Sequence, residues 1–315
     1  MPSWRSVPRT SDAFPSAPDM ADPRLKLSRW IAAGRPRTLP LAVAPVLVGI
    51  ALAAFETGGL APATALATLL AAVAIQVGTN LHNDASDFER GTDTQDRLGP
   101  ERAAAQGWFT ARQVKRAAHL AFLTALLLGI LLTLRGGWPI LLLGTASLVA
   151  GYAYTGGPRP IAYGPFGELF VLLFFGVAAV TGSYYLQTLA FALTALALGV
   201  AIGLPAAAVL TLNNYRDRET DRVAGRRTLC HYLGPRNTRL LYASLLLTPF
   251  PLLYLLDLPG SLWPLVAALP FGAWLISRIA RGATGVALNP LLGATALFQS
   301  ALAALLILGF ALPSA

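Results

Sequence analysis

Two acidic segments hold most of the side chains with which this chain could perform chemistry. Residues 80–97, NLHNDASDFERGTDTQDR, contain five acids and two asparagines directly after an apolar run. Residues 212–228, LNNYRDRETDRVAGRRT, repeat this arrangement after another apolar run. Two matched carboxylate clusters in an otherwise apolar chain favour a common binding site over two unrelated surface loops.

The spacing of the polar residues predicts that each segment presents one helical face. Residues three or four positions apart are neighbours on a helix, and like charges at that spacing repel each other. A cation must therefore offset these carboxylates. The residues on the predicted faces are Asn80, Asn83, Asp84 and Asp87 in the first segment and Asn213, Asp217 and Asp221 in the second.

Carboxylate and amide oxygens predict a hard cation. Mg²⁺ typically binds one or two carboxylates, keeps several waters and is completed by substrate phosphates. Two facing acid sets predict two ions that clamp a diphosphate, with Arg226 and Arg227 suited to its oxygens. Neither an EF-hand loop nor a Walker loop is present. Solvated loops, in which neighbouring arginines such as Arg90 and Arg216 pair with the acids, are the alternative interpretation.

The composition predicts an integral membrane protein. Of the 315 residues, 55% are hydrophobic and 12% are charged, whereas about a quarter of a soluble domain is charged. Many apolar runs reach the roughly 20 residues that span a bilayer, which disfavours a soluble helical protein. The single cysteine, Cys230, excludes a disulfide framework or a cysteine metal site, and we expect no nucleic-acid partner.

The apolar runs predict an all-α fold of nine transmembrane helices. Residues 1–29, rich in proline, serine and charge, are expected to form a disordered cytoplasmic tail before a membrane domain at 30–315. The predicted helices cover residues 39–55, 62–81, 117–134, 138–154, 168–187, 190–212, 239–256, 260–277 and 287–311.

The distribution of basic residues predicts the orientation. With nine helices and a cytoplasmic N-terminus, every Lys and Arg except Arg135 falls in a cytoplasmic segment, as the positive-inside rule requires. An eight-helix arrangement, in which residues 168–212 are divided differently, is the nearest alternative. Both acidic segments then lie on the cytoplasmic side of the cell inner membrane, where the site opens. A substrate with a diphosphate head and a long hydrocarbon tail fits these features.

The same segments resemble a known family. Residues 80–93 and 213–228 resemble the two aspartate-rich motifs of the UbiA superfamily of membrane prenyltransferases. RPRTLPLAVAPVLVG at 35–49 and YTGGPRPIAYGPFGELFVLLFFGVAAVTGSYY at 154–185 look closest to the branch that acts on 1,4-dihydroxy-2-naphthoate, as do the Gly91-x-Asp93 extension and the Gly-Arg-Arg-Thr-Leu ending of the second motif.

The resemblance implies nine helices around a central cavity and two Mg²⁺ ions between the motifs. The catalytic acids carried over by motif position are Asp84, Asp87, Asp217 and Asp221. One ion would be held by Asn83 (or Asn80), Asp84 and Asp87, and the other by Asp217 and Asp221. The candidate substrate contacts are Arg35, Asn80, Asn214, Arg226, Arg227 and Tyr154.

The implied reaction is alkylation of an aromatic ring. A polyprenyl group would pass from polyprenyl diphosphate to 1,4-dihydroxy-2-naphthoate with loss of CO₂, which gives a demethylmenaquinone. Aromatic faces can stabilise the intermediate cation, and the candidates are Tyr152, Tyr154, Tyr163, Tyr184 and Tyr185. Glu168 opens a predicted helix, where an acid favours the helix dipole, so both a structural role and a substrate contact are open for it.

Two alternatives to this interpretation remain. The acceptor could be another aromatic compound, such as 4-hydroxybenzoate, homogentisate or a chlorophyll-type ring. The chain could also be an ion-coupled transporter, although transporters place ionisable groups near the middle of the membrane. Here the acids cluster at the ends of the predicted helices, which disfavours transport.

Overall fold

The computed structural model contains helices and no strands in the residues it describes, which are 23–92, 98–256, 258 and 260–313. The first helix, α1, spans Pro23–Ala33 and leaves most of its side chains exposed. Residues 23–29, which the sequence placed in the tail, are therefore helical in the described part of the chain. Residues 1–22 lie outside the described residues, and the disorder expected there stays a prediction.

A tight turn connects α1 to the first long apolar helix. Arg35 adopts a left-handed conformation (φ 55°, ψ 66°) and precedes a single 3₁₀ turn at Pro36–Thr38. Helix α2 follows at Leu39–Thr57 and ends at Gly58, whose positive φ of 66° is typical of a glycine at a helix C-terminus.

Helix α3 (Pro62–Glu89) continues through the first acidic segment. It contains 28 residues, so at 1.5 Å per residue it is about 42 Å long, against about 30 Å for a bilayer core. The predicted helix at 62–81 was therefore too short. The extra turns position the polar face of the first segment on one rigid element.

Helix α4 (Ala111–Ala153) is a helical hairpin. It begins with a capping box between Thr110 and Gln113, and its backbone turns at Gly137 (φ 65°, ψ −156°), followed by a proline. A Cβ placed on Gly151 would lie 3.5 Å from the ring of Phe122, although a straight helix would hold these residues about 44 Å apart. The two halves therefore lie side by side, and they correspond to the predicted helices at 117–134 and 138–154.

Helices α5 (Gly167–Leu172) and α6 (Ala179–Thr188) are joined without a break by a π-helical segment at Leu173–Ala178. This segment packs closely on α7 (Leu193–Arg216). A Cβ on Gly176 would lie 2.3 Å from the carbonyl oxygen of Gly199, so only glycine allows the two backbones to approach this closely.

The remaining helices differ from the predicted ones mainly at proline residues. The predicted helix at 239–256 starts earlier and is divided before Pro249, and the predicted helix at 260–277 starts as a 3₁₀ segment at Trp263–Ala268. The elements are α8 (Arg218–Val223), α9 (Leu229–Leu247), α10 (Pro249–Tyr254), α11 (Leu269–Ala280) and α12 (Asn289–Phe310).

The helices form a multi-pass membrane protein. Seven helical stretches in the described part of the chain are long and apolar enough to cross a membrane. The largest buried cluster includes Val48 of α2, Leu198 of α7, Tyr242 of α9 and Leu302 of α12. Large apolar side chains on α4, such as Leu134, are exposed on the outer surface, where lipid would cover them.

Candidate active site

A cavity of about 820 Å³ lies between the helices, and both acidic segments contribute to its wall. Its apolar part is formed by side chains of α4 and of the α5–α6 helix, including Ile130, Ile140, Phe170 and Phe174. Its polar end collects Asn83 and Asp87 from α3 with Asp217 and Asp221 from the second segment. The structure thus brings the two acidic faces together, as the sequence predicted.

Asp87 is the centre of the first acidic face. Its Oδ1 accepts a hydrogen bond from Arg226 at 2.6 Å, and its Oδ2 accepts one from Arg102 at 3.3 Å. Asn83, one turn earlier, accepts a hydrogen bond from Thr155 through its Oδ1 at 2.5 Å. Both side chains are largely buried yet line the cavity.

Asp84 points elsewhere. Its Oδ2 accepts a hydrogen bond from the backbone N–H of Ala103 at 2.8 Å, and its Oδ1 accepts one from Ala104 at 3.1 Å. The side chain is 1% exposed and is not part of the cavity wall. Its carboxylate therefore holds the turn that carries Arg102, whereas the sequence pattern assigned it to a metal ion.

The second acidic face is held by an arginine network. Arg216 makes a two-pronged ion pair with Asp217, with distances of 2.7 and 2.6 Å. The same guanidinium donates to Asn213 and to Asn289, both at 2.9 Å. Asp217 is thus fixed at the point where α7 ends and α8 begins.

Arg226 connects the two faces. Its guanidinium lies 2.6 Å from Asp87 and 3.7 Å from Asp221, and it stacks 4.5 Å above the ring of Tyr163. Burial alone would lower the pKa of Arg226, but Asp87, Tyr163 and Asp221 raise it above its ordinary value. A positive charge is therefore stable between the two sets of carboxylates.

The donor set at this end of the cavity fits a divalent cation. Asp87, Asp217 and Asp221 provide carboxylate oxygens, Asn83 provides an amide oxygen, and all four line one wall. Oxygen-only ligands of this kind are those that Mg²⁺ binds. Within the described ranges no three acidic, histidine or cysteine side chains surround one common point. The guanidinium of Arg226 itself lies between Asp87 and Asp221, where it demonstrates that a cation is accommodated.

Three of the predicted substrate contacts lie around the turn that precedes α2 and the end of α4. Of these, Arg35 and Tyr154 line the cavity. Asn80 also lines it, but its Nδ2 donates to the carbonyl of Gly34 and to Thr38, which fixes the turn that carries Arg35. Burial raises the pKa of the Tyr154 phenol, and so does the nearby carboxylate of Glu168.

The last two predicted contacts differ from each other. Asn214 lines the cavity and donates a hydrogen bond to Glu168 at 2.9 Å. Arg227 is exposed and absent from the cavity wall, and its backbone N–H donates to the carbonyl of Tyr163. Of the pair Arg226–Arg227, only the first reaches the site, because the chain reverses at Gly225 (φ 76°).

Of the candidate tyrosines, Tyr154 alone contributes to the cavity wall among the described residues. Tyr184 and Tyr185 bond to Glu56 and to the backbone of Gly136, away from the polar end. Tyr163 stacks on Arg226. The ring of His82 lies 4.4 Å from that of Tyr152, tilted by 43°, and interacts with Ser86, so it packs α3 against α4 outside the cavity wall.

The sequence analysis missed several residues at the polar end. Arg102 reaches Asp87 from the turn that Asp84 holds, and Asn289 at the start of α12 bridges Arg216 to the backbone of Leu98. Neither residue lies in an acidic segment, so no local pattern identifies it. Arg216 was considered only as a partner for loop acids.

Comparisons with known proteins agree with this geometry. The UbiA prenyltransferase family matches residues 42–285. A 1,4-dihydroxy-2-naphthoate octaprenyltransferase of Mycobacterium tuberculosis is 39% identical over 272 residues, which are 86% of this chain and 92% of that protein. A protein of the same name from Escherichia coli is 39% identical over 242 residues, 74% of this chain and 78% of the other.

A solved structure shows the same fold. A UbiA homologue from Archaeoglobus fulgidus, bound to DMAPP and Mg²⁺, superposes with a TM-score of 0.64 at 17% sequence identity. The match covers 90% of this chain and 99% of the other. At this identity the similarity concerns the arrangement of helices.

Proposed function

The chain belongs to the UbiA prenyltransferase family, and from this premise we propose that it transfers a polyprenyl group from polyprenyl diphosphate to 1,4-dihydroxy-2-naphthoate. Diphosphate and CO₂ leave, and the product is a demethylmenaquinol, the hydroquinone form of an intermediate of menaquinone biosynthesis. The observation that carries the proposal is the identity with naphthoate octaprenyltransferases over most of their length. The cavity supports it, because carboxylates lie at one end and apolar walls at the other.

The carboxylate end would hold two Mg²⁺ ions together with the diphosphate. Asn83 and Asp87 would bind one ion, and Asp217 and Asp221 the other, because these four side chains line the cavity. Asp84 is left out of this ligand set, since its carboxylate is buried outside the cavity wall, where it accepts two backbone hydrogen bonds. The ions would stabilise the negative charge that builds on the departing diphosphate.

Arginine side chains would bind the remaining diphosphate oxygens. Arg35, Arg102 and Arg226 line the polar end, and a planar guanidinium binds phosphate oxygens through two parallel hydrogen bonds. Arg226 and Arg102 already contact Asp87, which orients both guanidinium groups toward the place where the first ion would lie.

The apolar part of the cavity would protect the allylic cation from water. The C–O bond breaks and its electron pair leaves with the diphosphate. Apolar walls exclude water that would otherwise capture the cation, and the phenol ring of Tyr154 can face it. The ring carbon that bears the carboxylate then bonds to the allylic carbon, and loss of CO₂ returns an electron pair to the ring without any proton transfer.

Nine membrane crossings with a cytoplasmic N-terminus are part of the proposal. The seven apolar stretches become nine if the two halves of α4 cross separately and if α9 with α10 crosses once. Arg135, the single basic residue on the outer side, has a local role. It donates hydrogen bonds to the carbonyls of Leu186 and Gln187 at the C-terminal end of α6. In this topology the acidic end of the cavity opens on the cytoplasmic side of the cell inner membrane.

The test is an assay of the purified protein with a polyprenyl diphosphate, Mg²⁺ and a panel of acceptors. We expect prenylation of 1,4-dihydroxy-2-naphthoate with release of CO₂, little product from 4-hydroxybenzoate or homogentisate, and no turnover in EDTA until Mg²⁺ is restored. Asp217→Asn serves as the inactive control. Equal or better transfer to 4-hydroxybenzoate or homogentisate would refute the assigned acceptor, and full activity in EDTA would refute the metal site.

A further inference from the structure

We infer that Glu168 and Asn214 form a recognition site for a hydroxyl group of the aromatic acceptor, with Asn214 as the contact and Glu168 as the residue that positions it. The inference deepens the proposed function and rests on it. It concerns a part of the cavity that binds neither the metal ions nor the diphosphate.

A buried carboxylate fixes the orientation of the Asn214 amide. Glu168 is 6% exposed, and its Oε1 accepts a hydrogen bond of 2.9 Å from Asn214 Nδ2. In this hydrogen bond the amide NH₂ group is the donor and the carboxyl oxygen the acceptor, so the NH₂ group of Asn214 faces Glu168. The amide oxygen must then point away from Glu168.

The amide oxygen of Asn214 is available to a ligand. Asn214 lines the cavity, and no protein group in the described residues donates a hydrogen bond to its Oδ1. Glu168 itself is not part of the cavity wall, and its second oxygen, Oε2, is buried without a hydrogen bond in the described part of the chain. The amide oxygen of Asn214 is therefore the acceptor that a ligand hydroxyl in the cavity can reach, and a donor there would satisfy it.

A phenol completes the cluster. The hydroxyl of Tyr154 lies 3.8 Å from the position of a Cβ on Gly167, next to Glu168 in the chain, and Tyr154 lines the cavity. The phenol therefore lies near the Glu168–Asn214 pair. An amide oxygen without a donor, next to a phenol, matches an aromatic ring that carries a hydroxyl group better than it matches a hydrocarbon chain.

The position of the cluster fits the reaction. Asn214 lies three residues before Asp217 on the same helix, which places it about one turn deeper in the cavity than the acidic face. The allylic carbon is the first carbon beyond the diphosphate, so an acceptor held at Asn214 has its ring beside that carbon. The hydrocarbon tail can continue toward α4 and the α5–α6 helix.

The experiment compares acceptors that differ by one hydroxyl group. In the wild type we measure the KM for 1,4-dihydroxy-2-naphthoate and the inhibition constants of 1-hydroxy-2-naphthoate and 4-hydroxy-2-naphthoate. We expect the dihydroxy compound to bind about 3- to 10-fold more tightly than at least one of these analogues, the size of one hydrogen bond.

Two variants then remove the recognition in different ways. Asn214→Ala deletes the contact, and Glu168→Gln lets the Asn214 amide take either orientation, because a glutamine side chain can donate as well as accept. The preference is the inhibition constant of an analogue divided by the KM for 1,4-dihydroxy-2-naphthoate, and both variants should bring this ratio close to 1. The KM for polyprenyl diphosphate should change by less than about twofold. Thr133→Val, at a cavity residue whose hydroxyl bonds to Gly129, should leave the preference unchanged.

The outcomes separate this inference from the proposed function. If the wild type does not prenylate 1,4-dihydroxy-2-naphthoate at all, the proposed function fails and the inference falls with it. If the wild type uses that acceptor but both variants keep its preference, or lose affinity for both substrates equally, the recognition site is refuted alone. Thermal unfolding and size-exclusion profiles identify a variant that has merely lost its fold, and the other variant then decides.

Discussion

Replacement of Asp84 by asparagine distinguishes a residue that holds a metal ion from one that holds the backbone. Asp84 accepts two backbone hydrogen bonds, of 2.8 and 3.1 Å, in a site that is 1% exposed. Asparagine keeps one acceptor oxygen but places an NH₂ group against the other backbone N–H. We therefore expect Asp84→Asn to weaken the turn that carries Arg102 and to leave the metal ligands intact.

The magnitude follows from these contacts. A hydrogen bond to a charged group contributes about 1.5–3 kcal/mol, and a buried donor without a partner costs about 1–3 kcal/mol. If the substitution makes the active arrangement of the turn less favourable by about 2 kcal/mol relative to inactive ones, the population of that arrangement and the rate fall by about 30-fold. By contrast, Asp87→Asn removes a predicted metal ligand and should abolish turnover.

The assay is the initial rate as a function of Mg²⁺ concentration at saturating polyprenyl diphosphate. Asp84→Asn should lower the maximum rate and leave the half-saturating Mg²⁺ concentration near the wild-type value, because no ligand is lost. The thermal unfolding midpoint should fall as well, since the turn packs on Trp30 and Phe109 near α1. A several-fold rise in the Mg²⁺ requirement with an unchanged midpoint would refute this reasoning and return Asp84 to the ligand set.

Three further predictions concern other parts of the molecule. Arg226→Ala should raise the KM for polyprenyl diphosphate at least tenfold, whereas Arg227→Ala should change it little, because of these two neighbours Arg226 contacts Asp87 and lines the cavity and Arg227 does neither; equal effects would contradict the assignment. Gly176→Ala should lower the thermal unfolding midpoint, because its Cβ would lie 2.3 Å from a backbone oxygen of α7 and such overpacking costs about 1–3 kcal/mol. Gly59→Ala is the control, since no atom lies within 4 Å of a Cβ at that position. Arg222→Cys should react with a membrane-impermeant thiol reagent from the cytoplasmic side, and reaction from the outer side would overturn the proposed topology.

Local sequence patterns predicted the all-helical membrane fold and the meeting of the two acidic segments, but not every helix boundary or side chain. Apolar runs of about twenty residues predict membrane-spanning helices, because a helix pairs the backbone N–H and C=O groups of such a run within lipid. Steps of three and four residues predicted that Asn83 and Asp87 share a helical face. Both predictions depend only on neighbouring residues. The same information also separated the two halves of α4, since the predicted helices at 117–134 and 138–154 leave residues 135–137 between them, where the backbone turns.

The partners of each side chain could not be predicted in this way. Asp84 fits the metal-binding pattern as well as Asp87 does, and it differs only because the backbone of Ala103 and Ala104 comes back to meet it. Arg102 and Asn289 reach the site from segments without any acidic motif. Such contacts depend on the packing of distant helices, which leaves no periodic signal in the chain.

A metal site and acids paired with arginines are compatible interpretations of this geometry. The polar end of the cavity alternates charges: Asp87 lies between Arg102 and Arg226, and Asp217 is paired with Arg216. A magnesium diphosphate alternates charges too, with cations among anionic oxygens. Carboxylates alone would repel the diphosphate, and arginines alone would repel the ions. A site that contains both signs in one wall can bind the two parts together, so the arginines that look like local partners in the sequence belong to the same binding surface as the acids.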